Sequence, residues 1–289
     1  RRRFCGFCFI IANQTAAPGL EPPVFKSMLP YITIGTLTLP TYGVMIASGI
    51  LLSGLLAFVR VKKAGLSVDD FLMIAACAIG LGLFGAWLTY VLVSFSAAEI
   101  VAIIRAGQAG LLLQGGMVFY GGLIGGVLGA LFGARIAGAR LTDFLNPVVP
   151  VLPLAHAIGR IGCFCAGCCY GVPTDSALGV VYTHPVGGAP VGVPLLPVQL
   201  FETGCNLLIF LFLLVFTKKT KSKTLVLPAY VLCYGCVRFG LEYIRYDFVR
   251  GALFGLSTSQ WFSIAGVLLS IAYIVYYRRR VKRRLSTGE

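Results

Sequence analysis

Charged residues are scarce in this chain of 289 residues: they make up 12% of it, and only 10 residues are aspartate or glutamate. A soluble domain normally carries about 25% charged residues. So few charges cannot cover the water-facing surface of one large soluble domain or of two small ones. The composition therefore excludes an ordinary soluble protein.

What the chain has instead is apolar sequence, with 58% hydrophobic residues and a mean hydropathy of +0.89. Apolar runs of about 18 residues or more recur along it, the length needed to cross a hydrocarbon core of roughly 30 Å. We predict an all-α, polytopic integral membrane protein with seven transmembrane helices. The predicted spans are residues 42–59, 71–95, 116–136, 144–165, 197–216, 225–244 and 257–277.

The net charge of +14 does not indicate a nucleic-acid partner, because the basic residues lie at the ends of apolar runs. Such placement indicates membrane topology and contact with anionic lipids. Fifteen basic residues fall on one side of the predicted spans and six on the other. By the positive-inside rule the N-terminus is outside and the C-terminus is cytoplasmic. The fifteen are Arg60, Lys62, Lys63, Arg135, Arg140, Lys218, Lys219, Lys221, Lys223, Arg278, Arg279, Arg280, Lys282, Arg283 and Arg284.

The same pattern divides the chain into three parts. Residues 1–38 form an external N-terminal segment, residues 39–278 a seven-helix transmembrane domain, and residues 279–289 a basic cytoplasmic tail. Residues 170–197, rich in glycine and proline, are predicted to be the main external loop, long enough to cap a site.

Arg160, Arg238 and Arg245 belong to neither group of basic residues, because they fall within predicted spans or at their outer ends. A charge there costs a few kcal/mol and usually marks a function or an ion pair. Tyr234, Arg238, Glu242 and Arg245 are spaced i, i+4, i+8 and i+11, which predicts one helical stripe. One interpretation is an anion site. The other is an Arg238–Glu242 pair that fixes packing, with Arg245 extended to the lipid headgroups.

Four of the ten cysteines, Cys163, Cys165, Cys168 and Cys169, lie close together. Cys165 and Cys168 have the spacing of metal ligands. Within a helix, however, this spacing provides no metal-binding knuckle, and apolar helices use cysteine as a small hydrophobic residue. We predict no metal and no cofactor, while a disulfide stays open in an oxidising compartment.

Glycines and histidines near these cysteines have ordinary structural explanations. Helix packing explains the glycine-rich stretch of residues 115–122 and the glycines that follow Arg160. His156 is predicted to be a core histidine and His184 a loop residue.

Several motifs in a fixed order resemble the prolipoprotein diacylglyceryl transferase family from about residue 40 to residue 277. They are Tyr42-Gly43, GGMVFYGGLIGG (residues 115–126), Asp143-Phe144 with Pro147 and Pro150, GRIG (159–162), PVQLFE (197–202), YGCVRFGLEYIR (234–245) and Ser259-Gln260. The resemblance implies seven spans with the N-terminus outside. It also implies transfer of diacylglyceryl from phosphatidylglycerol to the lipobox cysteine of prolipoproteins, forming a thioether and releasing glycerol phosphate.

The resemblance also implies roles for individual residues. Arg160, Arg238 and Arg245 look like the cations that hold the lipid phosphate, with Glu242 orienting Arg238. The positions that shape the lipid site in the family are Tyr42, Gly171 and Tyr234, and the polar motif of the fifth span supplies Gln199 and Glu202. Tyr120 stands at a catalytic position.

The chain departs from the family pattern at these motifs. Tyr120 replaces the family's histidine, and Leu196 replaces a second one. The motif after Arg160 has Cys163, Ala166 and Cys168 in place of two asparagines and a glutamate. Tyr120, with a pKa of about 10, is a poor base at neutral pH. Glu202, Glu242 and His156 stay open as the group that deprotonates the thiol.

The implied location is the bacterial plasma (inner) membrane, with the active site facing the outer leaflet. Phosphatidylglycerol, prolipoprotein signal peptides and anionic membrane lipids are the implied partners. Two other functions stay open. One is a lipid-binding paralogue with a different acceptor or no catalysis, and the other is a small-solute transporter, because glycine-rich broken helices with buried arginines also form anion pathways.

Overall fold

A computed structural model describes residues 29–113, 118–220, 222–246 and 252–287, and it is mainly helical. Four predicted features lie outside these residues. They are the external segment up to residue 28, the start of the third span at residues 115–117, and the basic residues Lys221 and Arg250.

Ten α-helices are present in the described part of the chain. They are α1 (Thr41–Lys63), α2 (Val68–Ser94), α3 (Ala97–Arg105), α4 (Gly110–Leu113), α5 (Phe119–Ile136), α6 (Leu141–Val148), α7 (Leu152–Ala166), α8 (Val198–Lys219), α9 (Val226–Leu241) and α10 (Thr258–Thr287). Short strands form three antiparallel pairs: β1 (Tyr31–Ile34) with β2 (Leu37–Pro40), β3 (Val180–Val181) with β4 (Pro194–Leu195), and β5 (Ala252–Leu253) with β6 (Leu256–Ser257).

Six of the described helical segments are long and apolar enough to cross a membrane, which confirms the prediction of an all-α, polytopic membrane protein. They are Thr41–Lys63, Val68–Ser94, Phe119–Ile136, Leu141–Ala166, Val198–Lys219 and Thr258–Arg283. The predicted sixth span corresponds to α9, which has 16 residues and continues as the 3-10 turn Glu242–Ile244. The count of seven and the orientation of the termini stay predictions.

The fourth span is not one regular helix. The 3-10 turn Val149–Val151 separates α6 from α7. Proline lacks a backbone N–H and clashes with the carbonyl of the preceding turn. Pro147 and Pro150 therefore interrupt the helix, and α7 begins afresh at Leu152.

The chain forms two compact units. The first contains residues 1–53, 152–214 and 228–289, and the second contains residues 54–151 and 215–227. The division into an external segment, a transmembrane domain and a basic tail stays a prediction.

In the second unit, α5 packs closely against α2 along a line of glycines four residues apart. A Cβ on Gly121, Gly125 or Gly129 would overlap a backbone carbonyl of α2. Small residues at this spacing let two membrane helices approach at backbone distance. The packing role predicted for the glycines of this motif is thus confirmed for the described ones.

In the first unit, the connection between α7 and α8 covers residues 167–197 and contains the predicted loop of residues 170–197. It has a small apolar core of its own. The members of this core are Val180, Tyr182, Ala189 and Leu195, and Phe164, Tyr170 and Val193 pack against it. The strands β3 and β4 pair with each other within this loop.

Candidate functional site

The helix α8 is apolar overall but has one polar face. This face is buried in the protein and consists of Gln199, Glu202, Thr203 and Asn206, which follow the spacing i, i+3, i+4 and i+7. A helix in lipid turns such a face inward, where other groups satisfy it. Glu202 is 2% exposed, so the charge of its carboxylate depends on its neighbours.

Three side chains from two other helices meet the Glu202 carboxylate. Arg160 on α7 brings its Nη2 atom to 2.9 Å from Oε2. The Tyr234 hydroxyl on α9 donates a hydrogen bond to Oε1 at 3.0 Å. His156, one turn before Arg160, places Nε2 at 3.3 Å from Oε1. Glu202 therefore links α7, α8 and α9.

Arg238 on α9 lies between two carboxylates. Its Nη2 atom is 2.7 Å from Glu242 Oε2 and donates a hydrogen bond to Ser259 Oγ at 3.1 Å. The Nη1 atom is 3.9 Å from Glu202 Oε2. The expected Arg238–Glu242 pair is present, and Glu202 is a second anion beside the same guanidinium.

The two guanidinium groups keep hydrogen-bonding capacity that the described residues do not fill. Arg160 Nε, Arg160 Nη2 and Arg238 Nη1 are buried, and within the described part of the chain no acceptor meets them with hydrogen-bond geometry. The Arg160–Glu202 contact is short, but its angle is not that of a hydrogen bond. Buried donors of this kind suit an anion that offers several oxygens.

The two cations are buried together with anions. Arg160 and Arg238 are each less than 10% exposed, and the carboxylates beside them belong to Glu202 and Glu242. A buried guanidinium group is tolerated when a carboxylate lies beside it.

Arg245 follows a turn instead of lying on the helical stripe expected for it. The helix α9 ends at Leu241, and a 3-10 turn leads to extended backbone at Arg245, which forms an antiparallel bridge with Gly171. The residue is 7% exposed. The alternative in which Arg245 extends to the lipid headgroups is therefore wrong for this structure.

Gly171 lies where three chain segments meet. Its N–H donates to the Leu196 carbonyl at 2.9 Å. A Cβ there would be 2.5 Å from Val198 Cγ2 and 2.8 Å from the Ile244 and Leu196 carbonyl oxygens. A side chain at this position would push the Arg245 segment away, which gives a physical reason for glycine at a position predicted to shape the site.

Gln199 contacts the loop between α7 and α8. Its Nε2 atom donates to the Cys168 carbonyl at 2.7 Å and to the Tyr182 hydroxyl at 3.0 Å. Burial raises the pKa of Tyr182 to about 12, against the hydrogen bond from Gln199, so this phenol is neutral at physiological pH. The substrate-binding role predicted for Gln199 stays a prediction.

Tyr42 and Tyr120 lie on different helices, α1 and α5. Tyr42 is in the first turn of α1, with its residue surface 41% exposed, and its backbone packs against Gly162 of α7. Tyr120 belongs to the second unit, where its ring meets that of Phe119 edge-on at 5.7 Å. The roles predicted for both residues stay predictions.

Two residues of the network were not among the predicted site residues. His156, interpreted as a core histidine, has a side chain 24% exposed, and its ring centroid is 5.0 Å from that of Tyr234. Its position four residues before Arg160 was the available signal. In the sequence, Ser259 stood out only as part of the Ser259-Gln260 motif that resembles the family.

Comparison with known proteins gives one consistent result. The family model described as prolipoprotein diacylglyceryl transferase matches residues 30–276. A phosphatidylglycerol–prolipoprotein diacylglyceryl transferase of Clostridium tetani (strain Massachusetts / E88) is 36% identical over 80% of this chain and 90% of the relative.

Further relatives extend the match. A phosphatidylglycerol–prolipoprotein diacylglyceryl transferase 2 of Clostridium perfringens (strain 13 / Type A) is 34% identical over 86% of this chain and 94% of the relative. A transferase of the same name from Dehalococcoides mccartyi (strain ATCC BAA-2266 / KCTC 15142 / 195) is 31% identical over the same shares of the two chains. The chain belongs to the prolipoprotein diacylglyceryl transferase family.

Proposed function

We propose that this chain transfers diacylglyceryl from phosphatidylglycerol to the lipobox cysteine of prolipoproteins, with Arg160 and Arg238 holding the lipid phosphate. The family and the names of the relatives support the activity. The observation that carries the assignment of the site is the pair of buried guanidinium groups, because Arg160 Nε, Arg160 Nη2 and Arg238 Nη1 lack a hydrogen-bond acceptor in the described part of the chain.

In the proposed reaction the substrate thiolate attacks the glyceryl carbon that bears the phosphate ester. A carbon–sulfur bond forms and the carbon–oxygen bond breaks. Its electron pair leaves with glycerol phosphate, so negative charge grows on the phosphate in the transition state. Arg160 and Arg238 are buried, and fixed cations in such a site stabilise this charge more strongly than they would in water.

Glu202 and Glu242 act as positioning residues for the two guanidinium groups. Glu202 contacts both Arg160 and Arg238, and Glu242 contacts Arg238. The carboxylates permit burial of the cations, while Arg160 Nε and Arg238 Nη1 keep donors that a phosphate oxygen could accept.

His156 is the best supported base for the substrate thiol. The carboxylates of Glu202 and Glu242 face guanidinium groups, so their oxygens are engaged. The His156 side chain is 24% exposed, and Nε2 faces Glu202. With its proton on Nε2, the ring keeps the lone pair of Nδ1 to accept the thiol proton.

The chain is a multi-pass membrane protein, and we propose that it lies in the bacterial plasma membrane with its site facing the outer leaflet. Prolipoprotein signal peptides are the proposed acceptors, and the basic helix ends contact anionic lipids. Residues 39–278 are the proposed transferase domain, between an external segment and a basic tail.

The proposal that Arg160 and Arg238 hold the lipid phosphate as a clamp is tested with Arg238→Lys. Lysine keeps the charge but loses the planar fork that contacts Glu242 and Ser259. We expect transfer to fall about 100-fold or more, as measured by mass spectrometry of a lipobox peptide incubated with phosphatidylglycerol and purified protein. Arg105→Lys, an exposed arginine on α3, is the matched control and should keep full activity. Equal activity of the two variants would contradict the clamp.

The base is tested with His156→Gln across a range of pH. At pH 7 we expect a loss of about 100-fold, typical of removing a general base. The deficit should shrink near pH 9, because a thiol with a pKa of about 8.5 then ionises without help. A deficit that stays constant from pH 7 to pH 9 would show that His156 does not take the thiol proton.

A further inference from the structure

Three thiols come together just beyond the end of α7. The Sγ atoms of Cys163, Cys168 and Cys169 all lie within 4.8 Å of one another. All three are free cysteines; Cys163 is buried, and the other two are half-buried. Cys165, which completes a C-x-x-C with Cys168, is not part of the group.

The end of α7 explains why these three sulfur atoms meet. The helix stops at Ala166, and Gly167 has a left-handed backbone with φ of 70°. The Cys168 N–H donates to the Cys163 carbonyl at 3.1 Å, and the Gly167 N–H donates to the Phe164 carbonyl at 3.2 Å. This pair of bonds is a Schellman motif. It turns the chain back, so that Cys168 and Cys169 face the last turn of α7.

Further contacts hold the turn in place. Cys169 has a φ of 57°, which is unusual for a residue other than glycine. The Cys168 carbonyl accepts a hydrogen bond from Gln199 at 2.7 Å. Gly187 donates to the Ala166 carbonyl at 2.8 Å, and a Cβ on Gly187 would be 2.5 Å from Cys168 Cβ. The loop therefore covers the thiols closely.

The spacing suits one ion bound by three sulfur atoms. A metal–sulfur bond of about 2.3 Å places three sulfur ligands about 4 Å apart around a central ion. Because the three Sγ atoms already lie within 4.8 Å of one another, they would have to move together only slightly to bind one ion. A neighbouring cation also compensates sulfur charge, since Arg160 Nη1 is 3.5 Å from Cys163 Sγ.

We propose that Cys163, Cys168 and Cys169 bind a soft, thiophilic cation of the Cu(I) class through three sulfur atoms. Soft thiolates select such ions. A structural Zn²⁺ requires four ligands, and in the described part of the chain the group contains no fourth cysteine, histidine or carboxylate. Each thiol that binds the ion releases its proton to solvent, so up to three protons leave per ion.

The test is a Cu(I) titration of the reduced, full-length protein in detergent, against a chromogenic Cu(I) chelator that reports transfer of the ion. We expect one ion per chain, with sulfur ligands alone at about 2.3 Å in X-ray absorption. Cys163→Ser, Cys168→Ser and Cys169→Ser should each weaken binding at least about 100-fold. Cys165→Ser, on the same helix turn, is the matched control and should bind as the parent does.

The titration is repeated in a Cys5→Ser, Cys8→Ser variant, because these residues form a separate C-x-x-C. Thermal unfolding of each variant checks that it is folded. A folded Cys168→Ser variant that binds Cu(I) as tightly as Cys165→Ser would overturn the proposal. So would nitrogen or oxygen ligands in the absorption spectrum, or no transfer of Cu(I) from the chelator. These readouts do not involve lipid transfer, so they are independent of the proposed enzymatic function.

Discussion

At the scale of single residues, the site depends on the carboxylate of Glu202, which the sequence does not favour as a partner of Arg238. Glu242 is the acidic residue one helical turn from Arg238, so the sequence favours it as the partner of that arginine. In the structure Glu202 contacts Arg160, Arg238, Tyr234 and His156. Sequence spacing predicts neighbours on one helix, whereas the pairing of two helices depends on packing.

Glu202→Gln tests this central position. Glutamine keeps the size of the side chain and removes its charge, so Arg160 loses its anion and Arg238 loses one of two. Uncompensated buried charge should lower the free energy of unfolding by about 3 to 5 kcal/mol, measured by thermal or denaturant unfolding in detergent.

The control for this prediction is Glu99→Gln. Glu99 caps α3 by accepting hydrogen bonds from Ser96, which lower the pKa of its exposed carboxylate. Glutamine can accept the same hydrogen bonds from Ser96, so its replacement should change the stability little. If the Glu202 variant were as stable as the Glu99 variant, the carboxylate at Glu202 would not be what permits burial of the arginines.

At the scale of secondary-structure elements, the glycines of α5 set the distance to α2. Gly125→Ala should force the helices apart, because the new Cβ would overlap the Leu81 carbonyl. We expect a destabilisation of about 1 to 3 kcal/mol. Thermal unfolding followed by fluorescence of Trp87 on α2, whose Nε1 donates to the Leu112 carbonyl, provides the measurement.

Gly126→Ala is a closely matched control. A Cβ added at Gly126 would be 3.6 Å from the Ala78 carbonyl oxygen, which is an ordinary van der Waals contact. Alanine also has the higher helix propensity. The control should be as stable as the parent or slightly more stable. An equal loss in both variants would contradict the role of the close contact between Gly125 and the Leu81 carbonyl.

The limits of sequence-based prediction are clearest at the ends of elements. Apolar runs locate most long helices to within a few residues, since their length follows from the bilayer. The exception is α10, which continues past the predicted end at residue 277 to Thr287. The turn after α7 was missed: C-x-x-C was interpreted as helical, although Gly167 is a typical helix-ending residue. The end of α9 was also missed. This helix ends at Leu241, and the chain that follows places Arg245 in a strand-like bridge with Gly171.

At the scale of the whole molecule, the basic residues predict an orientation that a fusion experiment can test. A reporter active only outside the cytoplasm should be active when fused within the loop at residue 188. It should be inactive after residue 64 or residue 284, and a cytoplasmic fluorescent reporter should behave in the opposite way. The positive-inside rule is the physical reason. Activity of the first reporter at the C-terminal position would reverse the proposed orientation.

The position of Glu202 on the middle one of three linked helices bears on how the membrane protein is made. Arg160 leaves the ribosome on α7 before its anion exists, and Arg238 follows on α9. A lone guanidinium is costly in lipid. We therefore expect α7 to remain at the edge of the bilayer until α8 arrives, so synthesis of α8 is the step that lets Arg160 enter the packed helices and that provides an anion for Arg238 in advance.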